Sequence, residues 1–236
     1  MAVSVYYASD TTTYADGESS STDAVHANAA AGPGDDYATS GLDIWVGQTT
    51  VYRCYQSMIY FNLAGTPYSG DTIPSGATIS SATLSVWGAD ATTSASWTVR
   101  VFRYGWVTQT TGNPNVLDIC FRSNSQLDTL YGSGAGQFAS AAASSSWPSW
   151  QNTEAWVAFT SGSSLVSDIT ASIGGRLELL FACSKQMGTI SAPSGDERIA
   201  FASARKDSGV HEPKISITWT ASAGFTGLTV IRDVSS

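Results

Sequence analysis

Short runs of alternating apolar and polar residues recur along the chain. Val3 and Val5 lie in AVSVYY, and Leu42, Ile44 and Val46 in LDIWV. Ile59, Phe61 and Leu63 share one face of SMIYFNL, while Trp97, Val99 and Val101 oppose Arg100, Phe102 and Tyr104 in SWTVRVFRY. EAWVAFT, RLELLFAC, RIAFAS, KISITW and GLTVIRD continue the series. Because side chains of a strand point alternately to its two faces, a period of two bounded by Gly, Pro, Ser or Asp predicts strands. About ten such runs, with no repeated strand–helix rhythm, predict an all-β fold of the β-sandwich or jelly-roll kind.

The stretch IPSGATISSATLSVWG, residues 73–88, states the pattern most clearly. Pro74, Ser75 and Gly76 form a turn signal, and Ile79, Ala82, Leu84 and Val86 follow as an apolar rhythm, with Leu84 and Val86 expected in the core. Helix is scarce. SSLVSDITASIGG (163–175) predicts one or two turns, with Ser163 or Ser164 as cap and Gly174 as stop, and NSQLDTLYG (124–132) is a second short candidate. Residues 16–36 and 132–146 are rich in Ser, Ala, Gly and Asp, lack periodicity and predict long surface loops.

Composition narrows the possible partners. The chain has 236 residues, a size that suits one large β domain or two small ones and buries its own core without a staple. Charged residues are only 13% and the net charge is −8. The 11 Lys and Arg form no basic run, so the sequence predicts neither nucleic-acid binding, which needs clustered cations, nor polybasic attachment to a membrane. Cys54, Cys120 and Cys183 are odd in number and sit in apolar or aromatic runs without zinc spacing, which reads as three buried, reduced thiols. MAVSVYYASD has neither the basic nor the apolar region of a secretory signal, and no run is long enough for a transmembrane helix. If Met1 is the native start, the expectation is synthesis in the cytoplasm; a module of a longer secreted chain is the alternative.

Several motifs occur in an order that resembles the DNRLRE-type β-sandwich domain, a jelly-roll family related to carbohydrate-binding modules. The first is the apolar-Phe-x-Leu strand, here Ile59, Tyr60, Phe61, Asn62 and Leu63. The second is Pro-x-Gly-Ala-x-Ile-x-x-Ala-x-Leu, here Pro74, Gly76, Ala77, Ile79, Ala82 and Leu84 at the fixed places. AWVAFTSGSSLVSDITASIGGRLELLF and the closing FASARKDSGVHEPKISITW also match. The resemblance spans roughly residues 40–219. It departs at Arg53, which lies further upstream than the family's strand-opening Arg, and in the long insert between Tyr104 and Trp156. It implies a jelly-roll domain over 40–219 with an inserted loop region at about 105–153, an N-terminal strand and loop arm over 1–39, and a C-terminal strand or docking tail over 220–236.

Catalytic signatures are missing from the sequence. His26 and His211 have no metal-ligand spacing, and there is no nucleophile elbow or phosphate-binding glycine loop. Asp35, Asp36, Glu154 and Glu178 follow no pattern that lifts them above solvated surface acids. The acidic loops at 32–38 and 194–198 offer oxygen ligands for a structural Ca²⁺, but they lack a recognised calcium-loop spacing and read as turn acids, so no cofactor is expected. The best ligand-binding candidates are Trp147 and Trp150 in SSSWPSWQNTEAW, with Tyr131 and Trp106 as further aromatics. An exposed indole can stack on a sugar; the competing reading is a pair of lids closing the end of the sandwich. Leu228, Val230 and Ile231 put apolar residues on both faces of the tail, which suits either an edge strand of the same sheet or an arm that docks on a neighbouring subunit. AVSVYY could dock in the same way, since Lys residues that would blunt an edge are absent from it.

These readings lead to a non-catalytic structural protein of an assembly, a bacteriophage or virus particle, as capsid decoration, head-fibre or tail protein. Its expected partners are other structural subunits, itself included, and its expected location is the virion. The alternative is an extracellular carbohydrate-binding or adhesion module that takes a glycan through loop aromatics.

Overall fold

A computed structural model describes residues 1–16, 36–38, 43–48, 54–92, 99–103, 155–160, 163–183, 197–203 and 210–222. Among these the fold is all-β, an antiparallel sandwich with one helix. In chain order the strands are β1 (Ala2–Tyr7), β2 (Asp10–Asp16), β3 (Asp36–Ala38), β4 (Asp43–Gln48), β5 (Cys54–Asn62) and β6 (Thr78–Thr92). They continue as β7 (Val99–Arg103), β8 (Ala155–Thr160), β9 (Arg176–Cys183), β10 (Glu197–Ala202) and β11 (Lys214–Thr220), with helix α1 (Ser163–Ser172) between β8 and β9.

Two long strands branch, and that is how one hydrogen-bonded sheet makes two layers. One edge of β6 pairs with β11 over Thr78–Ser85 and then with β10 over Gly88–Thr92, while β8 takes the other edge over Thr83–Gly88. β5 branches likewise, meeting β4 at Cys54 and Tyr55 and β9 from Ser57 to Asn62, with β2 along its opposite edge. One half is therefore β1-β11-β6-β8 and the other β3-β2-β5-β9-β7, joined by the β10-β4 pair. Phe159 of β8, Phe181 of β9 and Phe201 of β10 meet across the interior, with ring centroids 5.7, 6.3 and 5.9 Å apart. All three are fully buried, as are Leu84, Val86, Val99 and Val101. Each large apolar side chain so buried contributes roughly 1.5–3 kcal/mol.

The stretch 73–88 builds the turn and strand its sequence predicts. Gly76 takes φ of 78°, the left-handed value that a Pro-led turn of this kind needs at its second central residue, and the Ala77 amide donates to the Pro74 carbonyl at 3.1 Å. In β6, Ile79 opposes Trp219 while Ser81 opposes Thr218, so Ser80 is an extra residue, a β-bulge. Its hydroxyl donates to the Thr218 carbonyl at 3.1 Å. The bulge shifts the pleat by one place, which is why the buried positions run Ile79, then Ala82, Leu84 and Val86.

α1 lays Leu165 and Ile169, four residues apart, onto the core beside β6 and β9, and it stops before Gly174 as the sequence predicts. The 124–132 helix candidate, the 105–153 insert and Cys120 lie outside the described residues, while Cys54 and Cys183 begin β5 and end β9. β1 belongs to the chain's own sheet, pairing with β11 from Ala2–Trp219 to Tyr7–Lys214.

Candidate ligand-binding site

Trp147 and Trp150, the sequence's leading ligand candidates, lie outside the described residues, as do Tyr131, Trp106, Leu228, Val230 and Ile231. His26, Asp35 and Glu154 fall there too, with most of both candidate calcium loops. Glu178 corrects one expectation: it sits on β9 opposite Tyr60 and is buried, with 9% of its surface exposed, not a solvated surface acid. Its strand runs through the body of the second sheet half, flanked by β5 and β7. Among the described residues no group of three or more His, Cys, Asp and Glu is placed to hold a metal ion, and no helix is long and apolar enough to cross a membrane.

Two aromatic groups gather on the outward face of β1-β11-β6-β8. The register sets the first: Trp87 of β6 stands opposite Trp156 of β8, so both indoles emerge on one face, 5.4 Å apart and edge to face. His211 stacks on Trp87 at 4.0 Å and 19°, and the Lys214 ammonium lies 3.9 Å from the Trp156 ring centroid. The ring faces that a ligand would stack on are thus partly occupied by the chain's own side chains. A comparable internal clamp ties β10 to β4 and β5, where the Arg198 guanidinium lies 4.6 Å from the Trp45 ring centroid and 5.7 Å from that of Tyr55.

The second group is open. Tyr7, at the end of β1, and Tyr68 stand edge to face, with centroids 4.7 Å apart and planes at 75°. They line a cleft of about 350 Å³ together with Tyr6, Ser9, Asn62, Gly65 and Thr66. Tyr68 is 74% exposed. Its backbone is nevertheless fixed: the Tyr68 amide donates to the Val5 carbonyl at 2.8 Å, and the Val5 amide donates to the Ser69 carbonyl at 2.9 Å. The segment can lie this close to β1 because residue 70 is glycine. Gly70 has φ of 83°, and a Cβ there would fall 2.0 Å from the Val3 carbonyl oxygen. On the other wall, Ser9 donates its amide to the Tyr60 carbonyl at 2.9 Å, and Gly65 donates to the Asn62 carbonyl at 3.2 Å.

The electrostatics of the cleft are those of a neutral site. Burial, and then Tyr68 and Glu212 nearby, push the Tyr7 phenol above its usual 10.0, so at neutral pH it is protonated and can both donate and accept. Burial also raises the Glu212 carboxyl above its usual 4.5. Tyr7 was legible in the sequence as part of the AVSVYY strand, while nothing in the sequence singled out Tyr68. Nothing local to either signals that they meet.

No protein-family model matches the chain, and no curated protein matches it significantly.

Proposed function

We propose that the chain is a non-catalytic structural protein of a macromolecular assembly, a decoration, head-fibre or tail component of a bacteriophage or virus particle, with a jelly-roll sandwich as its scaffold. One observation carries this reading furthest. The exposed large hydrophobics of the described residues are Met1, Val3, Tyr68, Trp156 and Val210. All lie on β1-β11-β6-β8 or on segments against it, the half from which the chain runs on to residues 223–236. Met1, Val3 and Tyr68 lie on or beside the edge strand β1, next to β11, and apolar surface gathered there suits a contact site. The tail residues Leu228, Val230 and Ile231 supply a complementary apolar element. Covering a neighbour's apolar face with this segment gives self-association without an active site. Sedimentation velocity of the full chain over a range of concentrations tests the reading: a discrete oligomer is expected, and a monomer at every concentration contradicts it.

A second reading, attachment to a glycan, is favoured by the Tyr7–Tyr68 cleft, where a stacking surface stands beside hydroxyl and amide groups. It is compatible with the first, since a particle's surface protein can also hold a host glycan.

A further inference from the structure

The glycan reading can be made more specific, and the inference rests on it. We propose that the cleft lined by Tyr7 and Tyr68 binds a neutral pyranose unit, with Tyr68 as the stacking platform and Asn62, Thr66 and Ser9 as hydrogen-bonding partners for its hydroxyls. The chemistry of the lining selects this ligand class. Tyr6, Tyr7, Ser9, Asn62, Gly65, Thr66 and Tyr68 include no ionised side chain, and they offer phenol, hydroxyl and amide groups that both donate and accept. Sugar hydroxyls require that pairing, while the C–H face of the ring suits the negative face of an aromatic.

Charge decides between neutral and acidic sugars. The lining itself holds no cation to pair with a carboxylate or sulfate. The cations on the strands beside the cleft are engaged with the chain's own rings, Lys214 over Trp156 and Arg176, the register partner of Asn62, over Tyr60. Size agrees as well: the volume of about 350 Å³ lies at the small end of the roughly 300–1,000 Å³ typical of small-molecule sites. The platform is also organised before binding. Two backbone hydrogen bonds to Val5 and the contact of Gly70 with Val3 hold the Tyr68 backbone against β1, so little backbone ordering remains to oppose binding. The Trp87–Trp156 pair, with His211 and Lys214 already on its rings, lacks this openness.

The test applies the full chain to an array carrying neutral oligosaccharides of glucose, galactose, mannose and N-acetylglucosamine beside sialylated, uronic and sulfated ones. Retention on a neutral class is expected. Tyr68→Ala should weaken it about tenfold, and Tyr68→Phe, which keeps the platform, should change it little. Near-ultraviolet circular dichroism confirms that each variant is folded, as the 74% exposure of Tyr68 predicts. A preference for acidic glycans, or affinity unmoved by Tyr68→Ala, overturns the proposal. Binding that survives Tyr68→Ala but disappears in Trp147→Ala/Trp150→Ala overturns the cleft while leaving glycan attachment standing. No retention on any glycan overturns both the cleft and the attachment reading, whereas the assembly reading is decided separately by sedimentation.

Discussion

The indole N–H of Trp219 donates a buried hydrogen bond of 2.9 Å to the hydroxyl of Ser4. The same hydroxyl donates to the Asp71 carbonyl, so one side chain links β1, β11 and the segment beside β1. Ser4→Ala removes the acceptor and leaves the indole N–H buried without a partner. A loss of about 1–3 kcal/mol is expected in urea unfolding. In the Ser4→Ala/Trp219→Phe double variant the orphaned donor is gone, so the two losses should sum to less than additive. Full additivity would mean that the bond does not couple the strands.

Gly70→Ala should be worse than a surface substitution of the same size. It demands a left-handed backbone of an L-residue and places a methyl carbon 2.0 Å from the Val3 carbonyl oxygen. The segment must move off β1. The Val5 amide, bonded to the Ser69 carbonyl, should then exchange with solvent much faster in hydrogen-exchange measurements. Unchanged protection of Val5 would show that the close approach is not maintained in solution.

The three-phenylalanine contact predicts the most costly core substitution. Phe181 has ring partners from two other strands and is fully buried. Phe181→Ala should therefore cost about 3–5 kcal/mol by denaturant unfolding, and Phe181→Leu, which refills part of the space, considerably less. Equal costs for the two would indicate that the core collapses around the gap.

Asp168 gives a pH dependence with a definite sign. Burial raises its carboxyl above the usual 3.8, opposed by the Arg103 guanidinium, whose Nη1 lies 3.7 Å from Oδ1. A carboxyl raised in the folded state binds more protons there than in the unfolded chain. Its contribution is therefore most favourable below 3.8 and declines as pH rises through the folded value. The stability of the parent minus that of Asp168→Asn should fall across this window and then level off. A difference that grows with pH would mean that pairing with Arg103 outweighs burial.

Much of the fold was legible because the period-two signal is local. The runs around Leu84, Phe159, Leu179 and Ile217 became core strands, and the turn at Gly76 and the helix stop at Gly174 fell where the sequence puts them. Two features were hidden. In AVSVYY the apolar Val3 and Val5 face outward, while Ser4 and Tyr6 are buried, because the interior there is completed by the polar tip of Trp219. The backbone of Val5 is paired with the segment at Ser69, a contact fixed by tertiary packing. The cleft was hidden for the same reason. Tyr7 and Tyr68 are ordinary residues of a strand and of a bend after β5 until the Gly70 backbone closes on Val3. Trp147 and Trp150 stood out by sequence alone, as neighbouring indoles in a polar stretch, and they fall outside the described residues.

The central claim, self-association through the tail, is tested most directly by the mass of the full chain in solution. Light scattering would compare the parent with the Leu228→Ser/Val230→Ser/Ile231→Ser variant at matched concentrations. The account predicts a defined oligomer for the parent and a folded monomer for the variant. The same oligomer in both, or a parent that stays monomeric throughout, would contradict it.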